Sequence, residues 1–140
     1  MFSAKVYRVM IGSLSGAMEE VYVTKEALQR WNQENAERSG KVFMPVEWNT
    51  KSEDYMIVDV VICVIGNRIE GADIIGKCIE LGKQVVLFFN TFYDPMNTIS
   101  SERDMVNAFK SKMLMQCPCI EYNGITALKD DLSECFFSIE

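Results

Sequence analysis

The chain has 140 residues, 49% hydrophobic and 24% charged, which predicts one soluble globular domain over residues 1–140. Its net charge of −6 disfavours nucleic acid and anionic membranes as main partners, because both attract basic surfaces. No apolar run reaches the roughly 18 residues of a membrane span, and the N-terminus lacks the apolar segment of a signal peptide. We therefore expect a cytoplasmic protein.

Apolar runs alternate with amphipathic stretches along the whole chain. The apolar runs are continuous, which predicts buried strands of a parallel sheet with helices on both faces. The predicted strands span 5–11, 41–48, 60–66, 84–90 and 119–122. The predicted helices span 18–39, 52–58, 73–81 and 126–139, with one more that begins at the capping serines of 98–102. The crossover through 52–58 is unusually short for a parallel connection.

This alternation predicts a flavodoxin-like, three-layer, doubly wound α/β domain with a five-stranded parallel sheet. The strand order 2-1-3-4-5 fits, because it places the second strand, which contains Pro45, at an edge where a missing N–H is tolerated. Such sheets bind ligands beyond the carboxyl ends of their strands. Four loops are therefore candidates, at 12–18, 47–54, 66–73 and 90–97.

The first two candidate loops offer groups for a nucleotide or a nucleoside. Backbone amides and serine hydroxyls before a helix can hold a phosphate or a ribose hydroxyl, although a serine cap and turn would look the same. Trp48 can stack on a base or be a partly buried core residue. The candidate ligand-binding residues here are Gly12, Ser13, Ser15, Gly16 and Trp48.

The third and fourth loops add a cation and carboxylates. Arg68 can form a forked contact with phosphate, and Glu70 or Asp73 can act on a sugar's anomeric carbon as a nucleophile. A surface Arg–Glu pair, with Asp73 in the first turn of a helix, explains the same residues. Asn67 and Asn90 are further candidate ligand-binding residues.

The five cysteines predict reduced structural thiols. Cys117 and Cys119 form a Cys-Pro-Cys sequence, but this spacing differs from CxxC and the chain contains no histidine. We expect neither a metal nor a cofactor. A homo-oligomer is expected, because an open sheet of this size leaves edges to cover.

The order of these segments resembles TIR-like and nucleoside 2-deoxyribosyltransferase-like domains of prokaryotic proteins, which often precede defence-type NTPases. The matching segments span nearly the whole chain and include "VMIGSLSGAMEEVYVTKEALQRWNQEN", "GKVFMPVEWNTKS", "IVDVVICVIGNRI" and "IGKCIELGKQVVLFFN". The resemblance implies a flavodoxin-like sheet and a pocket for a nucleoside or nucleotide.

The resemblance also implies a catalytic glutamate early in the helix after the third strand. Counted from Gly82, that position holds Ile74, and Asp73 and Glu70 are the nearest carboxylates. The loop between Arg68 and the helix is shortened as well. These departures predict retained binding with weak or no turnover, in sensing or sequestering a nucleotide signal of the kind used in antiviral defence. An active N-glycosidase or deoxyribosyltransferase and a TIR-like interaction module are the alternatives.

Overall fold

The computed structural model describes residues 1–14, 17–48, 54–91 and 99–140. Five strands and four α-helices alternate within these ranges, and they form one parallel sheet in the order β2-β1-β3-β4-β5. They are β1 (Lys5–Ser13), α1 (Met18–Ser39), β2 (Lys41–Glu47), β3 (Val60–Ile65), α2 (Asp73–Glu80), β4 (Gln84–Asn90), α3 (Ser100–Met113), β5 (Cys119–Tyr122) and α4 (Ile125–Ser138). The predicted fold class and strand order are confirmed.

The sheet separates two apolar clusters. Side chains of α1 and α4 pack on one face, around Leu28 and Phe136, and side chains of α2 and α3 pack on the other, around Ile75 and Val106. All six residues of β3 are buried. This is why the central strands are continuous apolar runs, since each residue faces one cluster or the other. None of the helices in the described ranges combines the length and apolarity that crossing a bilayer requires.

Three local predictions were wrong. The segment predicted as a helix at 52–58 contains only a single 3-10 turn, Asp54–Met56, among its described residues. The chain must reach β3 within a few residues, and buried Val58 already lies in the core. The serines predicted to cap α3 do not cap it, because the helix begins at Ser100 after extended Ile99 and without a side-chain cap bond. The helical spacing of Met18 and Tyr22 with Leu28 and Trp31 predicts that all four pack against the sheet, but Met18 and Tyr22 are exposed.

The outer edge of β2 is closed by a side chain of α1. The Asn32 side chain donates from Nδ2 to the Phe43 carbonyl (2.8 Å) and accepts from the Phe43 N–H at Oδ1 (2.9 Å). Two residues further, Pro45 has no N–H to offer. Asn32 therefore occupies the hydrogen-bonding positions that a further strand would use, and Pro45 removes the next one. The predicted homo-oligomer remains a prediction, and this edge disfavours oligomers built by pairing β2.

We expect Asn32→Leu to lower the free energy of unfolding by about 1–3 kcal/mol, because it leaves the Phe43 N–H and carbonyl without partners. We also expect concentration-dependent association, because the edge of β2 becomes available. Urea denaturation and light scattering over a range of protein concentrations measure the two effects. Gln33→Leu is the matched control, because the neighbouring Gln33 is exposed and has no such bonds. Equal behaviour of the two variants would show that Asn32 does not protect the edge.

The cysteine thiols are part of the apolar interior or lie beside it. Cys63, Cys78 and Cys135 are buried, whereas Cys117 and Cys119 are partly buried, and none is in a disulfide. Burial raises the pKa of Cys117 and of Cys135 to about 12. A thiol with a raised pKa is a poor nucleophile near neutral pH. This agrees with the structural role predicted for these residues.

Candidate functional site

The carboxyl ends of β1 and β3 lie side by side at the centre of the sheet. Gly12 is in register with Cys63 and Ser13 with Val64, so the loops after the two strands leave the same edge at adjacent positions. From here the chain passes to β2 on one side and to β4 on the other, which makes this point the topological switch of the sheet. Ligands of such folds bind in the crevice at this point.

Trp48 lies across the end of β1. A Cβ atom at Gly12 would lie 2.5 Å from Trp48 Cε3 and closer still to Cγ and Cδ2. The ring is partly buried and packs against the cluster that contains Ile74. Gly12 is therefore required because only a residue without a side chain lets the indole approach the strand. Trp48 is anchored on the core, and the exposed part of its side chain borders the switch point.

The described part of the first loop has the geometry of a turn leading into α1. The Ala17 N–H donates to Ser13 Oγ at 3.1 Å, so this hydroxyl accepts a hydrogen bond from the residue before α1. Ser15 and Gly16, the other two candidates of this loop, lie outside the described residues. Glu19 and Glu20 follow in the first turn of α1, where carboxylates complement the positive end of the helix dipole.

The loop after β3 is tied back to the loop after β1. The Glu70 N–H donates to the Leu14 carbonyl at 2.8 Å, which fixes the short "RIEGAD" segment against the end of β1. Arg68 Nε lies 3.6 Å from Glu70 Oε1, and their side chains are 51% and 70% exposed. Such an exposed pair contributes about 0–1 kcal/mol to stability. The side chains of Arg68, Asn67 and Glu70 are therefore all accessible at the switch point.

Asp73 and Ile74 begin α2 and face different surroundings. Asp73 is exposed, and it is the acidic residue of the first helical turn. Ile74 is 5% exposed and belongs to the core cluster beneath the edge. The position that the resemblance assigns to a catalytic glutamate is thus an apolar core position in this chain. Glu70 lies in the loop before α2, and both carboxylates reach solvent.

The fourth loop contributes the end of β4. Asn90, the last residue of the strand, is partly buried and in register with Tyr122. The Thr91 N–H and hydroxyl both donate to the Tyr122 carbonyl, at 2.9 Å and 3.1 Å. The residues after Thr91, up to Thr98, lie outside the described ranges.

Tyr122 is a polar residue that the sequence did not single out. Its side chain is 3% exposed, and its hydroxyl has no hydrogen-bond partner among the described residues. Burial raises the pKa of this phenol, and the negative charge of Glu20 raises it further. A single tyrosine at the end of a short strand gives no specific signal, because tyrosine is common in strands. The described ranges hold no group of three or more cysteine, aspartate or glutamate residues placed to bind a metal ion.

Comparison with known proteins supports the fold and does not identify a family. No family model and no curated protein matches the chain. Among solved structures, the chain is similar to translation elongation factor SelB from Methanococcus maripaludis in its apo form, with a TM-score of 0.65 and 8% sequence identity. The match covers 97% of this chain and 36% of that one. At this identity the likeness extends to the α/β architecture alone.

Proposed function

We propose that this protein binds a nucleoside or a nucleotide-derived small molecule at the carboxyl-terminal edge of its sheet, with weak or no turnover. The observation that carries the proposal is that Ile74 is buried whereas the candidate ligand-binding side chains nearby are accessible. The position expected to hold the catalytic glutamate is sealed in the core. The groups expected to bind ligand, Arg68 and part of Trp48, remain accessible at the switch point. A protein of this kind would sense or sequester its ligand.

Binding rests on a fixed aromatic side chain and nearby polar groups. Because Gly12 has no side chain, the Trp48 ring packs directly against β1. The exposed part of the indole offers a surface on which a base can stack. The loop with Arg68 and Asn67 is tied to the residue that follows β1, because the Glu70 N–H donates to the Leu14 carbonyl at 2.8 Å. A rigid first contact of this kind lowers the entropy lost on binding.

Weak turnover follows from the position of the carboxylates. Glu70 forms an ion pair with Arg68. Asp73 comes one residue before Ile74, and its side chain is one methylene shorter than that of glutamate. A misplacement of about 1 Å can lower a rate about a hundredfold. Glu70 and Asp73 are both exposed to solvent, which is not the environment of a buried nucleophile.

The charges favour a ligand with little phosphate. Arg68 is the one cation in the described parts of the four candidate loops, and Glu70 partly neutralises it. Glu19 and Glu20 in α1 add further negative charge near the first loop. A nucleoside avoids this repulsion, whereas a phosphate requires Arg68 to leave its partner.

Calorimetric titration with adenosine, ADP-ribose and NAD tests the assignment. We expect Arg68→Ala to weaken the two phosphate-containing ligands about tenfold, because it removes a charge-assisted contact. Glu70→Gln should tighten the same two ligands severalfold, since it frees the arginine. Both substitutions should change adenosine binding little. Arg8→Ala is the control, because Arg8 is exposed in the amino-terminal half of β1, away from the carboxyl-terminal edge.

Two results would contradict the assignment. One is the absence of binding by all three ligands. The other is binding that responds equally to Arg68→Ala and to Arg8→Ala, because the carboxyl-terminal edge would then have no special part in it. Release of free base that is abolished by Asp73→Asn or Glu70→Gln would instead show an N-glycosidase.

A further inference from the structure

The outer edge of β5 is the open side of the sheet. The Leu87 N–H of β4 donates to the Pro118 carbonyl at 3.0 Å, so every second residue from Pro118 onward directs its backbone groups toward β4. The backbone groups of Cys119 and Glu121 therefore point outward. No described residue forms a backbone hydrogen bond with them. The edge of β2, by contrast, is closed by a side chain of α1.

The outward groups of β5 match those of a second copy of the same strand. Antiparallel pairing about a two-fold axis at Ile120 sets Cys119 opposite Glu121 of the second copy. Two residues that face each other in this way exchange both of their N–H···O bonds, and one such pair lies on each side of the axis. The edge is thus self-complementary, as a symmetric contact between two copies requires.

Helix α3 is placed to join this contact. It lies over both β4 and β5, because the Phe109 ring is 6.3 Å from that of Phe89 and Lys110 forms an ion pair with Glu121. In a continued sheet, α3 of the second copy would lie about two strand spacings away, or roughly 10 Å. Packed helices have interaxial distances of this size. The two α3 helices would therefore touch in antiparallel orientation.

A groove of about 610 Å³ lies between α3 and the open edge. Asn107, Ser111 and Leu114 line it from α3, and none of them is charged. Leu114 is 56% exposed, so a second α3 would cover apolar surface. The charged groups of the groove, Lys110 and Glu121, neutralise each other. Two copies can therefore approach here without repulsion between like charges.

We propose that the chain forms a symmetric homodimer through β5 and α3, in which two five-stranded sheets join into one. A strand of four residues offers an unrelated peptide few hydrogen bonds, whereas a second copy adds the contact between helices. β4 separates β5 from β3, so the switch point with Gly12 and Trp48 stays open. The dimer is therefore independent of the proposed nucleoside site.

Sedimentation equilibrium of the full chain over a range of concentrations tests the dimer. Glu121→Pro removes an outward N–H and spares the bonds to β4, so we expect the dimer dissociation constant to rise about tenfold or more. Glu121→Gln removes the charge but keeps the N–H and should weaken the dimer much less. Ser111→Lys sets two like charges face to face near the axis and should also dissociate it. Met105→Lys adds the same charge at an exposed position of α3 outside the groove and should not.

Ile120→Cys tests the register. At the axis, the Cα atoms of the two copies would be about 4.5 Å apart, which a disulfide can span. Oxidised glutathione should therefore crosslink this variant into a covalent dimer on a non-reducing gel. It should not crosslink the unaltered chain, whose Cys119 lies opposite Glu121 of the second copy.

Three results would overturn the proposal. The first is a chain that stays monomeric up to about 0.1 mM, where a micromolar dissociation constant gives mostly dimer; the edge would then be left to a strand of another protein. The second is equal weakening by Glu121→Pro and Glu121→Gln, or by Ser111→Lys and Met105→Lys. The third is a dimer of Ile120→Cys that forms no crosslink.

Discussion

Ile74→Glu is expected to lower the free energy of unfolding by about 3 kcal/mol or more at pH 7. Ile74 is 5% exposed and packs in the cluster of α2, α3 and the sheet, so the new carboxylate would lose its water. Burial would raise the folded-state pKa of this glutamate above its unfolded value of about 4.3. The destabilisation should therefore grow as pH rises through the window between the two values and shrink as pH falls toward 4.

Urea denaturation at pH 7 and near pH 4.5 measures this effect. Ile74→Leu is the matched control and should cost less than about 1.5 kcal/mol, because it conserves volume and polarity. A stable Ile74→Glu variant that cleaves NAD or a deoxynucleoside would contradict the interpretation. It would show that α2 can present this position to the ligand, as the resemblance implies for active relatives.

Gly12→Ala is expected to destabilise the protein by about 1–3 kcal/mol, the usual cost of overpacking. The new methyl group would lie within 2.5 Å of Trp48 Cε3, so the indole would have to leave its position over β1. Because the proposed binding site uses Trp48 in this position, adenosine binding should weaken together with stability. Denaturation monitored by circular dichroism and calorimetry on the same samples measure both losses.

The control for this prediction is the same substitution in α2. Gly76 has nothing within 4 Å of an added Cβ, so Gly76→Ala should stabilise the helix by about 0.5–1 kcal/mol. A double-mutant cycle then identifies the cause of the loss at Gly12. In a Trp48→Ala background, Gly12→Ala should cost little, because the clash is gone. An undiminished cost in that background would show that Trp48 is not the obstacle.

The sheet was predictable because its signals are local and repeated. Continuous apolar runs mark the strands, and Pro45 alone places the second strand at an edge. The closure of that edge was not predictable, because the bonds between Asn32 and Phe43 depend on how α1 lies against β2. The 3-10 turn at Asp54–Met56 was missed for a related reason, since tertiary constraints on a short crossover override its helical pattern.

The place of the candidate residues in the fold was predictable, but the packing of their side chains was not. Ligands of such sheets bind at the carboxyl ends of the strands near the topological switch point. The sequence alone therefore indicates the loops that contain Gly12, Trp48 and Arg68. The sequence did not decide whether Trp48 is a core residue or a ligand contact. The structure shows that its ring packs over β1, which is possible because Gly12 has no Cβ. Similarly, Asp73 and Ile74 are adjacent in sequence, and the orientation of α2 decides which one reaches solvent.

The most direct test of nucleoside binding without turnover is a titration of ¹⁵N-labelled protein with adenosine and NAD, followed by chromatography of the ligand. We predict saturable shifts of the Trp48 indole and Gly12 amide resonances, with the Trp31 indole unchanged and the ligand recovered intact. No shift at Gly12 and Trp48, or ligand recovered as free base through a reaction that Asp73→Asn abolishes, would contradict it.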